Sequence, residues 1–479
     1  MARGSIKKNY ILNVSNQLMN ILAPLITTPY TSRVLTTEGV GEYSYSESIT
    51  SYFVLFAILG TATYAQREIS YVQDNENERS RVFYNTLALR LLTTALMLAV
   101  YLVVLHDKIL FVILAINILN VACDVTWFFQ GMEEFGKIAG RNVVFKLISI
   151  IYTFAVVKTE KDLLLYAIGM VGLNLLGNVS LWRHVGGYVT RPNLSAIRPF
   201  ENVYAILSLF VPTIAIQIYT IFDKTMLGLF TETSYENGCY EQAMKVVRAL
   251  QIIVCAIGTV MAPRIGYYFA KDDREKVREY MLKAYRFVWL VGIPMAFGLI
   301  GVSDNMVPWF FGNGYDKVKI LLKILPVLAV VIGMSNVTGI QYLIPTKRQN
   351  ILTGTVASGA VVNFCLNLIL IPRFFSVGAA LASVAAETVI TALQLWYVRN
   401  EIDLKSIFRS GQKYILAGVM MLGTLRMMSR CLSGSLLHTV CMIVTGTAVY
   451  VGGLLLTRDE YFLENCRMVA DRLRRIWKR

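Results

Sequence analysis

A chain of 479 residues that is 55% hydrophobic and only 16% charged has too little polar side chain to clothe a water-soluble globule, which excludes a soluble fold. Its seven cysteines and three histidines are scattered without C-x-x-C spacing, which argues against a metal centre or a disulfide framework. The formal net charge of +15 takes its meaning from where the basic residues fall between apolar runs.

Those runs recur from residue 10 to residue 457, each about 20 residues long, the length of helix that crosses roughly 30 Å of hydrocarbon. They lack the period-two alternation of barrel strands, so a helical bundle is expected. In chain order the candidate spans lie near 10–34, 44–72, 82–105, 109–130, 138–157, 162–184, 201–230, 240–269, 281–302, 317–343, 351–371, 378–398, 413–430 and 436–456, about fourteen in all. The first follows a short basic stretch and is interrupted by Asn13, Ser15, Asn16, Gln17 and Asn20, with no small-residue cleavage site behind it, so it is expected to be retained as a span. With the N-terminus cytoplasmic, inner stretches carry about 27 Lys and Arg against about 6 outside. Both termini are therefore expected inside. Residues 467–479 are expected to form a basic amphipathic tail against anionic headgroups, and nucleic acid is not expected as a partner.

The segment 187–200, with Arg191, Pro192, Arg198 and Pro199, is the most linker-like. It predicts an N-terminal lobe over 1–190, a second lobe over 191–400, two further helices over 401–457 and a basic cytoplasmic tail over 458–479. The lobes echo each other: PLITTPYTSRVLTTEGVGEYSYSESI from Pro24 and PTIAIQIYTIFDKTMLGLFTETSYENGCYEQAMKV from Pro212 each place a proline mid-helix, then charge, then G-x-Y. Arg33 registers with Asp223 and Lys224, and Gly41-Glu42-Tyr43 with Gly238-Cys239-Tyr240, as in transporters built from structural repeats. Every loop is short and no G-x-x-x-x-G-K-[ST] occurs. An enzyme, such as a polymerase needing carboxylates on a large outer loop, is not expected.

An ionisable side chain within a span costs about 2.5–3.5 kcal/mol on insertion scales and normally faces protein or a hydrated cavity. The cations Arg33, Arg67, Arg90, Lys146, Lys224, Arg248 and Arg264, with Arg141, Lys245 and Lys323, outnumber the anions Glu47, Asp124, Asp223 and Glu387. Such a balance favours an anionic cargo, because guanidinium forks match phosphate oxygens and stay charged. Arg67, Arg141, Arg264 and Lys323 lie near span ends, where snorkelling to the interface is an equal reading. Arg90, Lys146 and Glu387 sit closer to span centres. The four anions are candidates for a coupling H⁺ or Na⁺ or for ion pairs, and no resident cofactor is expected. Tyr30 and Trp127 are sugar-contact candidates, since flat rings pack on pyranose faces.

Taken in order, PLITTPYTSRVL, GEYSYSESI, DVTWFFQGMEEF, DKTMLG, MAPRIGYYFA and QYLIPTKRQN through VNFCLNLILIPRFFSVGAALASVAAE resemble the bacterial polysaccharide flippase family of the multidrug/oligosaccharidyl-lipid/polysaccharide exporter superfamily. The resemblance implies an all-α integral membrane fold of two pseudo-symmetric six-helix lobes around a central, cationic cavity, plus two C-terminal helices. It implies export of undecaprenyl-pyrophosphate-linked repeat units for O-antigen, capsule or exopolysaccharide across the bacterial cytoplasmic membrane by alternating access. The implied partners are the lipid-linked oligosaccharide, membrane lipids and the polysaccharide polymerase machinery. Its motifs carry over onto Arg33, Asp124, Trp127, Asp223, Lys224 and Arg264, while Arg90, Lys146, Arg248 and Glu387 rest on the charge argument. A lipid-linked peptidoglycan precursor flippase and a cation-coupled multidrug exporter are the alternatives, the basic excess opposing the second.

Overall fold

A computed structural model describes residues 6–190, 195 and 197–477. Arg191 and Pro192 of the expected linker lie outside the described residues, as do the side chains of 6–14, 16–17, Thr259, most of 211–220 and the tail beyond 468. The first helices are α1 (Ile6–Ile58), α2 (Thr61–Tyr71), α3 (Glu76–Leu105), α4 (Ile109–Leu114), α5 (Ile116–Cys123), α6 (Thr126–Gly131), α7 (Phe135–Val156), α8 (Leu163–Leu181) and α9 (Val203–Phe230). They are followed by α10 (Tyr235–Cys255), α11 (Gly258–Ala270), α12 (Arg274–Phe310), α13 (Asp316–Ile324), α14 (Val327–Thr338) and α15 (Gln349–Phe374). The last are α16 (Ser376–Val398), α17 (Leu404–Cys431), α18 (Leu436–Leu456) and α19 (Glu460–Trp477).

Eleven helical stretches among the described residues are long and apolar enough to cross a membrane. The first, Leu18–Tyr71, holds two of the expected spans, separated where Thr36 adopts φ 59° and ψ 175° and interrupts α1. Helices α9 and α17, 28 residues each, lie on the expected spans 201–230 and 413–430. Every span expected from hydropathy thus coincides with a helix. Local chemistry sets several starts: the Asn75 side chain accepts the Glu78 N–H ahead of α3, and Asp403 does the same for Ser406 ahead of α17, each satisfying a backbone donor that a helix end leaves unpaired. Pro326 separates α13 from α14, its ring lacking the N–H that a continuous helix needs.

The chain forms two compact units, residues 1–241 and 242–479. In the first, Phe83, Trp127, Phe128 and Phe129 build a buried aromatic core with Leu181 and Ile206. Helix α9 packs on α1 and α2, so this packing division falls inside α10, downstream of the lobe boundary expected at 190/191. Within the same unit the two echoed glycines meet. A Cβ on Gly41 would lie 1.8 Å from the Ser234 carbonyl oxygen and 2.8 Å from the Gly238 nitrogen, and one on Gly238 would lie 2.0 Å from the Thr37 carbonyl oxygen. Backbone cannot yield as a side chain can, so Gly41→Ala is expected to collapse the monodisperse yield in size-exclusion chromatography. Gly140→Ala, which opens onto empty space, should leave it intact.

In the second unit, α12 packs against α14, α17 and α18, and α15 against α16. Arg348, just ahead of α15, grips Glu401 through both carboxylate oxygens at 2.5 and 2.6 Å, the Tyr342 hydroxyl donates to the same carboxylate, and Arg278 Nε donates to the Glu401 carbonyl at 2.8 Å. The Arg348 guanidinium holds the Glu401 carboxyl below its ordinary value. A depressed carboxylate contributes stability that is present above its unfolded value and lost as pH falls through its folded one. The thermal midpoint should therefore drop on acidification through the carboxylate range, and Glu401→Gln should start lower and lose that component; differential scanning fluorimetry across pH checks both.

Candidate functional site

The first unit encloses a cavity of ≈ 390 Å³ between α1, α5, α7 and α8. Asn20 lines it from α1 before the Thr36 break and Tyr43 and Glu47 from beyond it, with Asn117 from α5 and Asn174 from α8. The α7 wall carries Asn142, Phe145, Lys146 and Ser149, spaced i, i+3, i+4, i+7, which puts them on one helix face. Lys146 stands eleven residues into α7, about 16 Å from its start, in the middle of the span.

Arg141 joins Lys146 on the same wall, giving two cations against the one carboxylate of Glu47. Its Nε is buried with no hydrogen-bond partner among the described residues, and a buried donor left unmade costs about 1–3 kcal/mol or more when charged. Gly177 of α8 makes room for this arginine: a Cβ there would sit 3.3 Å from both Arg141 Cδ and Nη1. Behind the wall, Asn178 donates to Asn120 at 3.2 Å, and Asn120 to the Val171 carbonyl at 3.4 Å. Cations, amides and a phenol around one volume supply donors for phosphate oxygens and both donors and acceptors for sugar hydroxyls.

Of the residues singled out from sequence, the structure brings Glu47 and Lys146 together here, with Arg141. Arg90 lies elsewhere, 1% exposed. Its Nε donates to Thr61 Oγ1 at 2.8 Å and its Nη1 to the carbonyls of Asp124 at 2.8 Å and Val121 at 3.2 Å, with the Asp124 carboxylate at 3.5 Å. It staples the break between α5 and α6, where helix carbonyls lose their partners. Trp127 is also 1% exposed; its Nε1 donates to the Asp124 carbonyl, and its ring lies 5.7 Å beneath the Arg90 guanidinium. At these two positions, expected as a substrate cation and a sugar platform, the polar groups are engaged inside the packing.

Asp223 and Lys224 are buried on α9, Asp223 accepting from the Tyr240 hydroxyl at 2.7 Å and Lys224 pairing with Glu241 at 2.6 Å. They pin α9 to α10. Tyr30 ties α1 to the end of α7 by donating to the Val157 carbonyl at 2.6 Å. Arg33, Arg67, Arg248 and Arg264 are exposed; Arg33 donates to the Pro29 carbonyl, Arg67 pairs with Glu68 at 2.9 Å, and Arg264 lies against Tyr280. Glu387 is buried in α16 of the second unit. The four cavity asparagines carry no charge, and their signal in the sequence is an amide inside an apolar run.

The profile of the family described as polysaccharide biosynthesis protein matches residues 6–269, more than half of the chain. The chain belongs to this family. A second profile, that of the lipid II flippase MurJ, matches residues 148–445, so this polysaccharide biosynthesis protein sits among the polysaccharide flippases of the multidrug/oligosaccharidyl-lipid/polysaccharide exporter superfamily. It is 25% identical over 406 residues to a candidate O-antigen transporter of Escherichia coli (strain K12), covering 83% of this chain and 97% of that one. It is 24% identical over 311 residues to a candidate low-salt glycan biosynthesis flippase of Haloferax volcanii, covering 62% of each. Among solved structures, a lipid II flippase MurJ in an inward closed conformation matches with a TM-score of 0.72 at 14% identity, covering 94% of this chain and 99% of that one. The superfamily fold expected from the ordered motifs is the fold observed.

Proposed function

We propose that this flippase carries undecaprenyl-pyrophosphate-linked oligosaccharide repeat units, precursors of O-antigen, capsule or exopolysaccharide, from the inner to the outer leaflet of the bacterial cytoplasmic membrane by alternating access, with both termini inside. The observation that carries the reading is the mid-span cavity of the first unit, where Arg141 and Lys146 share a wall with asparagines. A pyrophosphate cannot shed its water into hydrocarbon at tolerable cost, and fixed cations with amide neighbours replace that water. The polyprenyl tail stays in lipid while the headgroup passes. Glu47 shares the cavity and competes for its cations, so H⁺ or Na⁺ at this carboxylate would free them for the substrate; Glu387 is a second coupling position. Similarity to the candidate O-antigen transporter supports the cargo class.

A second reading, a lipid-linked peptidoglycan precursor as cargo, is favoured by the MurJ profile match. Proteoliposomes loaded with either donor, with and without H⁺ and Na⁺ gradients, separate the two by which headgroup becomes accessible outside. Accessibility no greater than in protein-free vesicles for both donors would sink the proposal.

A further inference from the structure

A second polar cavity, ≈ 240 Å³, lies in the other unit between α12, α17 and the start of α19, lined by Arg286, Arg409, Lys413, Ser406 and Ser410 together with Asp459 and Glu460. Among the described residues no ion pair engages the three cations. The Asp459 carboxylate is already committed, accepting from the Tyr414 hydroxyl at 2.8 Å and the Phe462 N–H at 2.9 Å. Those bonds fix the start of α19 against α17, immediately after the chain leaves α18 through Arg458 at φ 49°. The transport reading uses none of these groups.

Their depth is set by helix length. Arg286 precedes the end of α12 by 24 residues and Lys413 the end of α17 by 18, which is about 36 and 27 Å of helix. That brackets the roughly 30 Å of hydrocarbon, so the cations stand at the membrane boundary. Along α17, Arg409, Lys413, Leu416 and Met420 fall at i, i+4, i+7 and i+11, one helix face, and all four are exposed. The face is cationic at the headgroup level and apolar beyond it, the polarity profile of a single lipid molecule.

We infer that this pocket holds the phosphate of an anionic glycerophospholipid, with its acyl chains along the apolar part of the α17 face and α19 closing over the headgroup. Three cations against the two carboxylates of Asp459 and Glu460 leave the pocket net positive, which attracts such a headgroup by electrostatics and hydrogen bonding, whereas a zwitterionic headgroup brings a compensating cation.

The test is native mass spectrometry of the full chain, with equilibrium binding of fluorescent phosphatidylglycerol and phosphatidylcholine in the same detergent. Wild type is expected to retain phosphatidylglycerol and release phosphatidylcholine. Arg286→Gln/Arg409→Gln/Lys413→Gln should lower phosphatidylglycerol affinity about a hundredfold, and Lys413→Gln alone about fivefold, the single change guarding against misfolding of the triple variant. Arg409→Lys/Lys413→Arg should retain the lipid. Unchanged affinity in a folded neutral variant overturns the inference. So does displacement of the lipid by inorganic phosphate, which would make this a small-anion site, or preferential capture of undecaprenyl pyrophosphate, which would assign the pocket to the substrate.

Discussion

Reversing the two cavity cations together, Arg141→Glu with Lys146→Glu, is expected to cut the initial rate of headgroup exposure in proteoliposomes at least about a hundredfold. Hydrogen bonds from a charged donor contribute about 1.5–3 kcal/mol each, so losing two removes at least about 3 kcal/mol, and each 1.4 kcal/mol is a factor of ten. Reversal also places new carboxylates beside Glu47 on the same cavity, adding repulsion toward a pyrophosphate. Lys146→Gln, which removes charge without reversing it, should cost about tenfold. Lys319→Gln, whose lysine is engaged at 2.6 Å by Asp316, should transport normally. A folded double variant that exposes headgroups at the wild-type rate would remove the cavity from the mechanism.

Replacing Arg90 is expected to give a different phenotype, loss of fold with transport per folded molecule unchanged. The Arg90→Leu side chain leaves the Val121 and Asp124 carbonyls and the Asp124 carboxylate without the donor they now share. The Asp124 side chain is 26% exposed and keeps its bonds from Thr126, so the loss is that of the buried guanidinium's own hydrogen bonds, about 1.5–3 kcal/mol each. The measurement is the thermal midpoint of the solubilised protein, which should fall sharply. Arg90→Lys should recover only part, because one ammonium cannot reach Thr61 and the two carbonyls in the planar arrangement a guanidinium allows. A normal midpoint with defective transport would return Arg90 to the substrate path.

These two arginine and lysine positions illustrate what sequence can disclose. The spans were legible because a helix crossing hydrocarbon must be long and apolar, a requirement that leaves few alternatives. Arg90 and Lys146 were legible as mid-span cations and indistinguishable from each other, since the partners of each come from distant segments. Arg90 faces carbonyls released where the chain breaks at Asp124, a break that apolar flanks conceal. Lys146 faces open volume formed by four helices. Asn20 marks only an interrupted first span, and Asn117, Asn142 and Asn174 carry no sign of a cavity, because an uncharged amide within an apolar run resembles ordinary interhelical hydrogen bonding. The pairing of Lys224 with Glu241 was equally hidden, because the two lie on different helices, while the adjacent Asp223 accepts from Tyr240.

The meeting of Gly41 with Gly238 has a bearing on how the protein tolerates its surroundings. Main chain touches main chain there, with no ionisable group needed for the fit, so the clasp is indifferent to acidity, ionic strength and the charge of whatever headgroup passes nearby. Ion pairs elsewhere in the first unit soften as screening rises. A join made of shape alone does not, which gives the half of α1 beyond Thr36 and the turn ahead of α10 a fixed reference while the electrostatics around them change.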